Sequence, residues 1–371
     1  MKRSLQGKRF CSNLWTMKVN EVRRTLPALA LLLVMLVPSG YYQAGLLVYA
    51  GATAADPACG HHAPFNDPSG FTPHLWGTDL FEAGATNLSS EATPDGFDAY
   101  AMPAWANVSI PVADEPITLA GWMVEVDTSS NASWVVLVHG IRSCKANHEV
   151  LLPAGMLVNA GVNVLLIDMR DHWESTLEDG QVSAGQKEWR DVVAAWSWLQ
   201  DNQGADPQHI GLFGASMGAG TAAIAFAQEP EIQSVFLDSP FSSMDRIIEE
   251  ELAFRGYPVF LKDAALFAGR VKGQDIVEHE PLAAASHIGE RRMTVVHGLD
   301  DQRIRIHHGQ AMCDEATANA ADPLQVNCWF AESTTTFTSV NDGQVDESHV
   351  TLMLTHTSEY EATLLAWASA L

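Results

Sequence analysis

The sequence predicts an α/β fold, a mainly parallel sheet with helices on both faces. Two observations carry that reading. Trp134 to Val138, Val162 to Ile167, Ser234 to Leu237 and Met293 to Val296 are short apolar runs without polar alternation. Such runs mark strands covered on both faces. Segments with helical spacing separate them, and strands alternating with helices imply parallel pairing through right-handed crossovers.

Taken in order, Ile117 to Val126 reads as a strand ending at the turn-rich Asp127-Thr128-Ser129-Ser130-Asn131. Glu149 to Ala160 reads as a helix closed by Gly161, and Gln186 to Gln200 as a helix with Trp189, Val193, Trp196 and Leu199 on one stripe. Ser242 to Ala268 holds two short helices around Gly256-Tyr257-Pro258, the size of a small lid at 242–270. Its aromatics Phe254, Tyr257, Phe260 and Phe267 are candidates to line an acyl pocket, with ordinary core packing as the alternative. A helix from Ile304 to Ala318 leads to a strand at Val326 to Phe330, and a last helix runs from His349 to Leu371.

The ends of the chain differ in charge. Residues 1–25 carry Lys2, Arg3, Lys8, Arg9, Lys18, Arg23 and Arg24 against Glu21, whereas the whole chain of 371 residues has a formal net charge of −24. So acidic a chain offers little to neutralise phosphates, which argues against a nucleic-acid partner. Residues 26–50 are apolar apart from Pro38-Ser39-Gly40 and Gln43. A basic flank before an apolar span predicts a cytoplasmic tail and a membrane anchor, with the rest of the chain outside the cytoplasm. A cleaved signal peptide, with small residues at Ala52-Thr53-Ala54, is the alternative, and the protein is then secreted. Apolar character continuing past Pro38 favours the anchor. Residues 51–110, rich in Pro, Gly, Asp and Asn, read as a linker and irregular arm before a folded domain at 111–371.

Cys59, Cys144, Cys313 and Cys328 then face an oxidising space where pairing is open to them. Cys313 with Cys328 is the expected pair, since a helix and the next strand bring them near. No CxxC spacing suggests zinc. His61, His62 and His74 lack the spacing of a metal site and read as solvated. No metal and no cofactor is expected, and the oligomeric state is open.

The chemistry centres on Gly214-Ala215-Ser216-Met217-Gly218, between an apolar strand and the small-residue helix Thr221 to Ala227. A G-x-S-x-G turn holds its serine strained at a strand end, beside a helix N-terminus that favours negative charge. A serine nucleophile needs a base, and the base needs a carboxylate to orient it. In open α/β sheets such groups gather beyond the carboxyl ends of the strands. Asp300 or Asp301, after Met293 to Val296, can supply the acid, with Asp238 as a rival. His349 is the expected base, since chain order Ser…Asp…His belongs to this turn. His356 lies on a helix pointing away, and His307 and His308 read as surface residues. The oxyanion hole is expected from the N–H of Met217 and one from the loop after Val138, near Ile141 or Arg142. His139 reads as a brace for that loop.

These motifs resemble the α/β-hydrolases of the serine aminopeptidase and esterase-like group, members of which often carry an N-terminal membrane anchor. The likeness covers about residues 110–371. It rests on Leu137-Val138-His139-Gly140, Asp168-Met169-Arg170 through Glu174-Ser175, Gly214 to Gly218, His297-Gly298 with Asp301 and Ile304, and His349 followed by Glu359-Tyr360. The resemblance implies Ser216, Asp301 and His349 as the triad and Met217 with Ile141 as the oxyanion hole. Ile141-Arg142-Ser143-Cys144 stands where the group usually has glycines, Asp171-His172-Trp173 replaces a Gly-rich turn, and Glu332 to Ser348 is longer than usual. The expected activity is hydrolysis of a small acyl ester or amide through an acyl-enzyme. The alternatives are a peptidase or acyl-peptide hydrolase on the same residues, or a non-catalytic binding module on this scaffold.

Overall fold

A computed structural model of the chain describes residues 31, 34–55, 59, 66–71, 98–102, 104–333, 337–338, 345–346 and 349–371. The basic tail 1–25 and His61, His62 and His74 lie outside them. The core is an eight-stranded sheet of order β1-β2-β4-β3-β5-β6-β7-β8. Its strands are β1 (Ala106–Pro111), β2 (Thr118–Val124), β3 (Trp134–Val138), β4 (Asn163–Ile167), β5 (Ile210–Ala215), β6 (Ser234–Asp238), β7 (Arg292–Gly298) and β8 (Val326–Ala331). β1 and β2 enter antiparallel, and every pairing from β4 through β8 is parallel.

Strands β3, β4, β5 and β6 are buried along their whole length, as their unbroken apolar runs require. One apolar cluster packs against each face of the sheet. One centres on Leu137, Phe213, Phe236 and Trp367, the other on Val136, Leu212, Phe226 and Val295. Alternate residues of one strand thus feed opposite layers.

The helices are α1 (34–53), α2 (His148–Asn159), α3 (Trp189–Gln203), α4 (Met217–Gln228), α5 (Met244–Phe254), α6 (Lys262–Val271), α7 (Leu282–Ser286), α8 (His307–Asn319), α9 (Leu352–Thr355) and α10 (Thr357–Ala368). α5 and α6 form the expected two-helix lid.

Three expectations need correction. The arm before residue 111 holds strand β1, which pairs with β2 over six residues. It is a largely exposed edge strand ending at Pro111, so it lacks the apolar run that betrays a central strand. The last helix does not start at His349. Val350 has φ 54°, and His356 breaks the helix between α9 and α10.

The apolar segment 26–50, expected as an anchor, is in its described part a helix that packs on the domain. Among the described residues no helix is long and apolar enough to cross a membrane. From Tyr42 onward α1 lies on the lid, where Tyr49 packs with Ala265, Leu266, Ala268 and Ile276. Glycines set the closeness of that contact. A Cβ on Gly45 would stand 2.3 Å from the Ala264 backbone, and one on Gly269 would stand 2.7 Å from the Tyr49 ring.

Two disulfides are present among the described residues. Cys313 pairs with Cys328 as expected, and Cys59 pairs with Cys144.

Candidate active site

Ser216 stands between β5 and α4 with φ 56° and ψ −120°, a conformation costly for any residue with a Cβ. Close backbone contacts hold it there. A Cβ on Gly214 would stand 2.3 Å from the Gly218 carbonyl oxygen, and one on Gly218 would stand 2.2 Å from the Val138 carbonyl oxygen. Only glycine fits at both positions. The Ser216 N–H donates to the Asp238 carbonyl at 2.9 Å, tying the turn to the neighbouring strand.

The structure brings three of the expected residues together. His349 Nε2 lies 2.7 Å from Ser216 Oγ, and His349 Nδ1 lies 2.7 Å from Asp301 Oδ2. Asp301 is buried, and its Oδ1 accepts N–H bonds from Arg303 at 2.9 Å and Ile304 at 3.0 Å. Burial works against its charge, but the His349 and His297 imidazoles outweigh it and hold the carboxyl below the ordinary carboxylate range. Asp301 is therefore an ionised acceptor that selects the His349 tautomer with its proton on Nδ1. Nε2 is left to accept from the serine hydroxyl.

The rival acids are occupied elsewhere. Asp300 accepts from Ser333 N–H at 2.8 Å. Asp238 accepts from Tyr360 Oη at 2.8 Å and Ser239 Oγ at 2.9 Å, and burial pushes its carboxyl up to about 6.

Ile141 and Met217, the expected oxyanion donors, line one cavity with Ser216. The loop bearing Ile141 is braced from within. His139 Nε2 accepts from Met169 N–H at 3.2 Å, so the proton sits on Nδ1, 2.8 Å from the Gly140 carbonyl. Burial, reinforced by His172 and Lys145, keeps that imidazole neutral. Glu149 Oε1 accepts the Gly140 N–H at 2.8 Å. Sequence reasoning missed Glu149, because an acid in the first turn of a helix has an ordinary reading there.

Further back, the Asp168-Met169-Arg170 motif forms buried ion pairs, Lys145 to Asp168 at 2.5 Å and Arg170 to Asp191 at 2.7 Å. They fix the loops after β3 and β4. Removing one partner from such a pair strands a buried charge.

The cavity holds about 430 Å³ and is lined mostly by apolar side chains. Met244, Ile247, Ile248, Leu252 and Tyr257 come from the lid region. Of the four lid aromatics expected there, only Tyr257 lines it; Phe260 and Phe267 face outward, 69% and 56% exposed. The opposite wall is α1, through Leu47, Val48, Tyr49, Gly51, Ala52 and Thr53. No local motif signals that wall.

His307 and His308 are not simple surface residues. His308 is fully buried and lies with His307 against Glu250 of the lid, at 3.5 Å and 3.1 Å. The geometry invites a metal reading. However, His308 Nδ1 accepts the Ser242 N–H at 3.1 Å, so its Nε2 carries the proton, 3.5 Å from the Glu250 carboxylate. The cluster joins lid to core and does not offer a ligand set. His356 lies beside Thr355 and Trp329, away from Ser216 as expected.

With this geometry in hand, comparison with known proteins defines the class first. The chain aligns with a Pyrococcus furiosus esterase at 21% identity and a TM-score of 0.53, covering 80% of this chain and 99% of that one. It aligns with a prolyl endopeptidase at 14% identity and a TM-score of 0.52, covering 72% of this chain and 38% of that one. At such identities the likeness establishes the fold: the protein is an α/β-hydrolase by architecture. More particularly, residues 153–332 match the sequence profile of the prolyl oligopeptidase family. A thiohydrolase of Aspergillus aculeatus is 26% identical over 174 residues, 46% of this chain and 53% of that protein. The chain spans about half the length of the curated relatives it matches.

Proposed function

We propose that the protein is a serine hydrolase that cleaves carboxylic esters through an acyl-enzyme. The observation that carries this reading is His349, 2.7 Å from Ser216 Oγ on one side and 2.7 Å from Asp301 on the other, with Ser216 itself lining an apolar cavity. His349 Nε2 takes the hydroxyl proton as Ser216 Oγ bonds to the acyl carbon. The tetrahedral oxyanion is held by N–H groups of Met217 and Ile141. As it collapses, the proton passes from Nε2 to the leaving alkoxide and the ester C–O bond breaks. Water, deprotonated by the same nitrogen, then attacks the acyl carbon and Ser216 recovers its proton.

Ester is preferred to peptide because a mostly apolar cavity offers few partners for a peptide backbone, whose polar groups are costly to bury unpaired. The peptidase reading is kept because of the prolyl oligopeptidase match. Parallel assays on p-nitrophenyl esters and aminoacyl anilides separate the two; cleavage of anilides alone overturns the ester reading. A fluorophosphonate probe tests for any nucleophile. The wild type is expected to label and Ser216→Ala to stay unlabelled. A folded wild type that stays unlabelled points instead to a binding module.

We further propose that the domain lies outside the cytoplasm, at a membrane. Two disulfides fit an oxidising compartment. Val34, Met35, Leu36 and Val37, at the start of α1, are exposed, as are Phe260 and Phe267 on the lid beside it. Exposed apolar patches of this kind mark contact with a membrane or another protein. Signal cleavage near residue 54 is disfavoured because it would remove a wall of the cavity. Retention of the full chain in washed membranes is the expected outcome, and complete release by salt would count against anchoring.

A further inference from the structure

The loop Gly140–Cys144 carries Ile141 into the cavity, and its outer side meets the end of α1. Arg142 has φ 55°, the left-handed region that a non-glycine residue occupies only when held there. Its guanidinium supplies the hold. Nε donates to the Ala54 carbonyl at 2.9 Å, and a terminal nitrogen donates to the carbonyls of Gly51 at 2.9 Å and Ala52 at 3.2 Å. These acceptors end α1, where unpaired carbonyls and the helix dipole favour a cation. Two residues further on, Cys144 is bonded to Cys59 of the same N-terminal stretch.

That stretch is itself fixed to the core. Val182 N–H donates to the Thr53 carbonyl at 2.6 Å, and Ala55 N–H donates to the Gly180 carbonyl at 3.0 Å. Arg142 is therefore pulled toward stationary acceptors. On the inner side, Glu149 holds the Gly140 N–H. Glu149 and the N-terminal stretch thus grip the loop from opposite sides, and Ile141 lies between the two grips.

We propose that Arg142 is a positioning residue for the oxyanion loop, and that residues 47–55 and Cys59 act through it and through Cys144 as a working part of the site. The proposal rests on the serine-hydrolase reading above. An oxyanion donor acts only when its N–H meets the position where charge develops, so a displaced loop lowers turnover more than binding.

The test compares Arg142→Ala, Arg142→Lys and the pair Cys59→Ser with Cys144→Ser in the full-length chain, each checked for native circular dichroism. Arg142→Ala is expected to lower kcat about 10- to 100-fold, the scale set by losing or misplacing one oxyanion donor, with KM within about 2-fold of wild type. Arg142→Lys, whose ammonium can still donate to a carbonyl, is expected to recover part of the loss. The serine pair is expected to lower kcat by about 3- to 10-fold, since Arg142 remains as a second tether. A merely structural role would reduce thermal stability or raise KM without rescue by lysine. Hydrogen exchange over residues 139–144 is the second measurement, and it needs no substrate. Faster exchange in Arg142→Ala supports the proposal, and unchanged exchange overturns it. A folded Arg142→Ala with kcat within 3-fold of wild type also overturns it. If wild type cleaves neither ester nor anilide while exchange still responds, the hydrolase reading fails and the tether stands.

Discussion

The two sides of the site are built differently. On the sheet side, Ser216 directly follows β5, Asp301 lies in the loop after β7 and His349 in the turn before α9; all three are nearly closed off from water and joined by hydrogen bonds of 2.7 Å. On the other side, α1 and the lid meet mainly through apolar contacts, with a hydrogen bond from Tyr41 Oη to the Phe260 carbonyl at 3.0 Å. Their outer faces, Phe260 and Phe267 among them, are open to solvent. Directional bonds fix the distances that chemistry needs, whereas apolar packing tolerates repacking of similar volumes. The contrast teaches that the Ser216–His349–Asp301 arrangement is rigidly placed while the cavity wall opposite it is free to repack. Arg142 is where the two sides meet.

The sharpest way to break the comparison is to remove the chemistry alone. Ser216→Ala and His349→Ala are each expected to cost at least about 10⁴-fold in kcat on a p-nitrophenyl ester, with the melting temperature little changed. Asp301→Asn is expected to fall in the same range, because an amide no longer selects the imidazole tautomer. A variant of any of the three that keeps a tenth of normal turnover would move the site elsewhere.

Gly218→Ala attacks the frame that strains the serine. The new methyl would meet backbone oxygens of Val138 and His139 at 2.2 Å and 2.5 Å. Backbone cannot swing aside as a side chain can. A stability loss of about 3 kcal/mol or more, read by chemical denaturation, is expected together with loss of activity. Gly45→Ala is the matching change on the opposite side. Its methyl would meet the Ala264 backbone, forcing α1 off the lid at a cost of about 2–3 kcal/mol. Because the sheet side is untouched, fluorophosphonate labelling should persist while selectivity among acyl chains broadens. Equal selectivity in Gly45→Ala and wild type would mean that α1 takes no part in recognition.

The same division governs what was legible in the sequence. Gly214 and Gly218 could be read because a tight turn around a serine admits nothing larger. The buried strands could be read because parallel pairing under helices demands unbroken apolar runs. Asp301 could not be separated from Asp300 on residue type alone; the family resemblance chose between them. β1 escaped because an edge strand has little reason to be apolar. The wall formed by α1 escaped because an apolar segment after a basic stretch has a ready membrane reading. Its contacts lie far along the chain, Gly45 against Ala264 and Arg142 against Gly51. Arg142 in particular bonds to backbone carbonyls, and those leave no trace in residue type. Phe260 and Phe267 misled in the opposite direction, since aromatic character alone does not say which face of a lid is wet.

The smallest expected effect concerns how the sheet side responds to pH. Asp238 is fully buried beneath Ser216, and burial raises its carboxyl from an ordinary 3.8 to about 6, against the pull of Tyr360 and Ser239. In the unfolded chain the carboxyl releases its proton near 4; in the folded protein it keeps it until about 6. Between those values the folded state binds more protons than the unfolded one, so this group's contribution to stability falls as pH rises. Above about 6 the loss is complete. Asp238→Asn keeps the shape, still accepts from Tyr360 and can donate to Ser239 Oγ. The variant should therefore lose about 1–2 kcal/mol less stability than wild type between pH 4 and 6.5. Denaturant titrations across that range measure the difference in slope. Parallel slopes for the two proteins would show that Asp238 is ionised throughout, paired more strongly with its hydroxyl donors than its burial opposes.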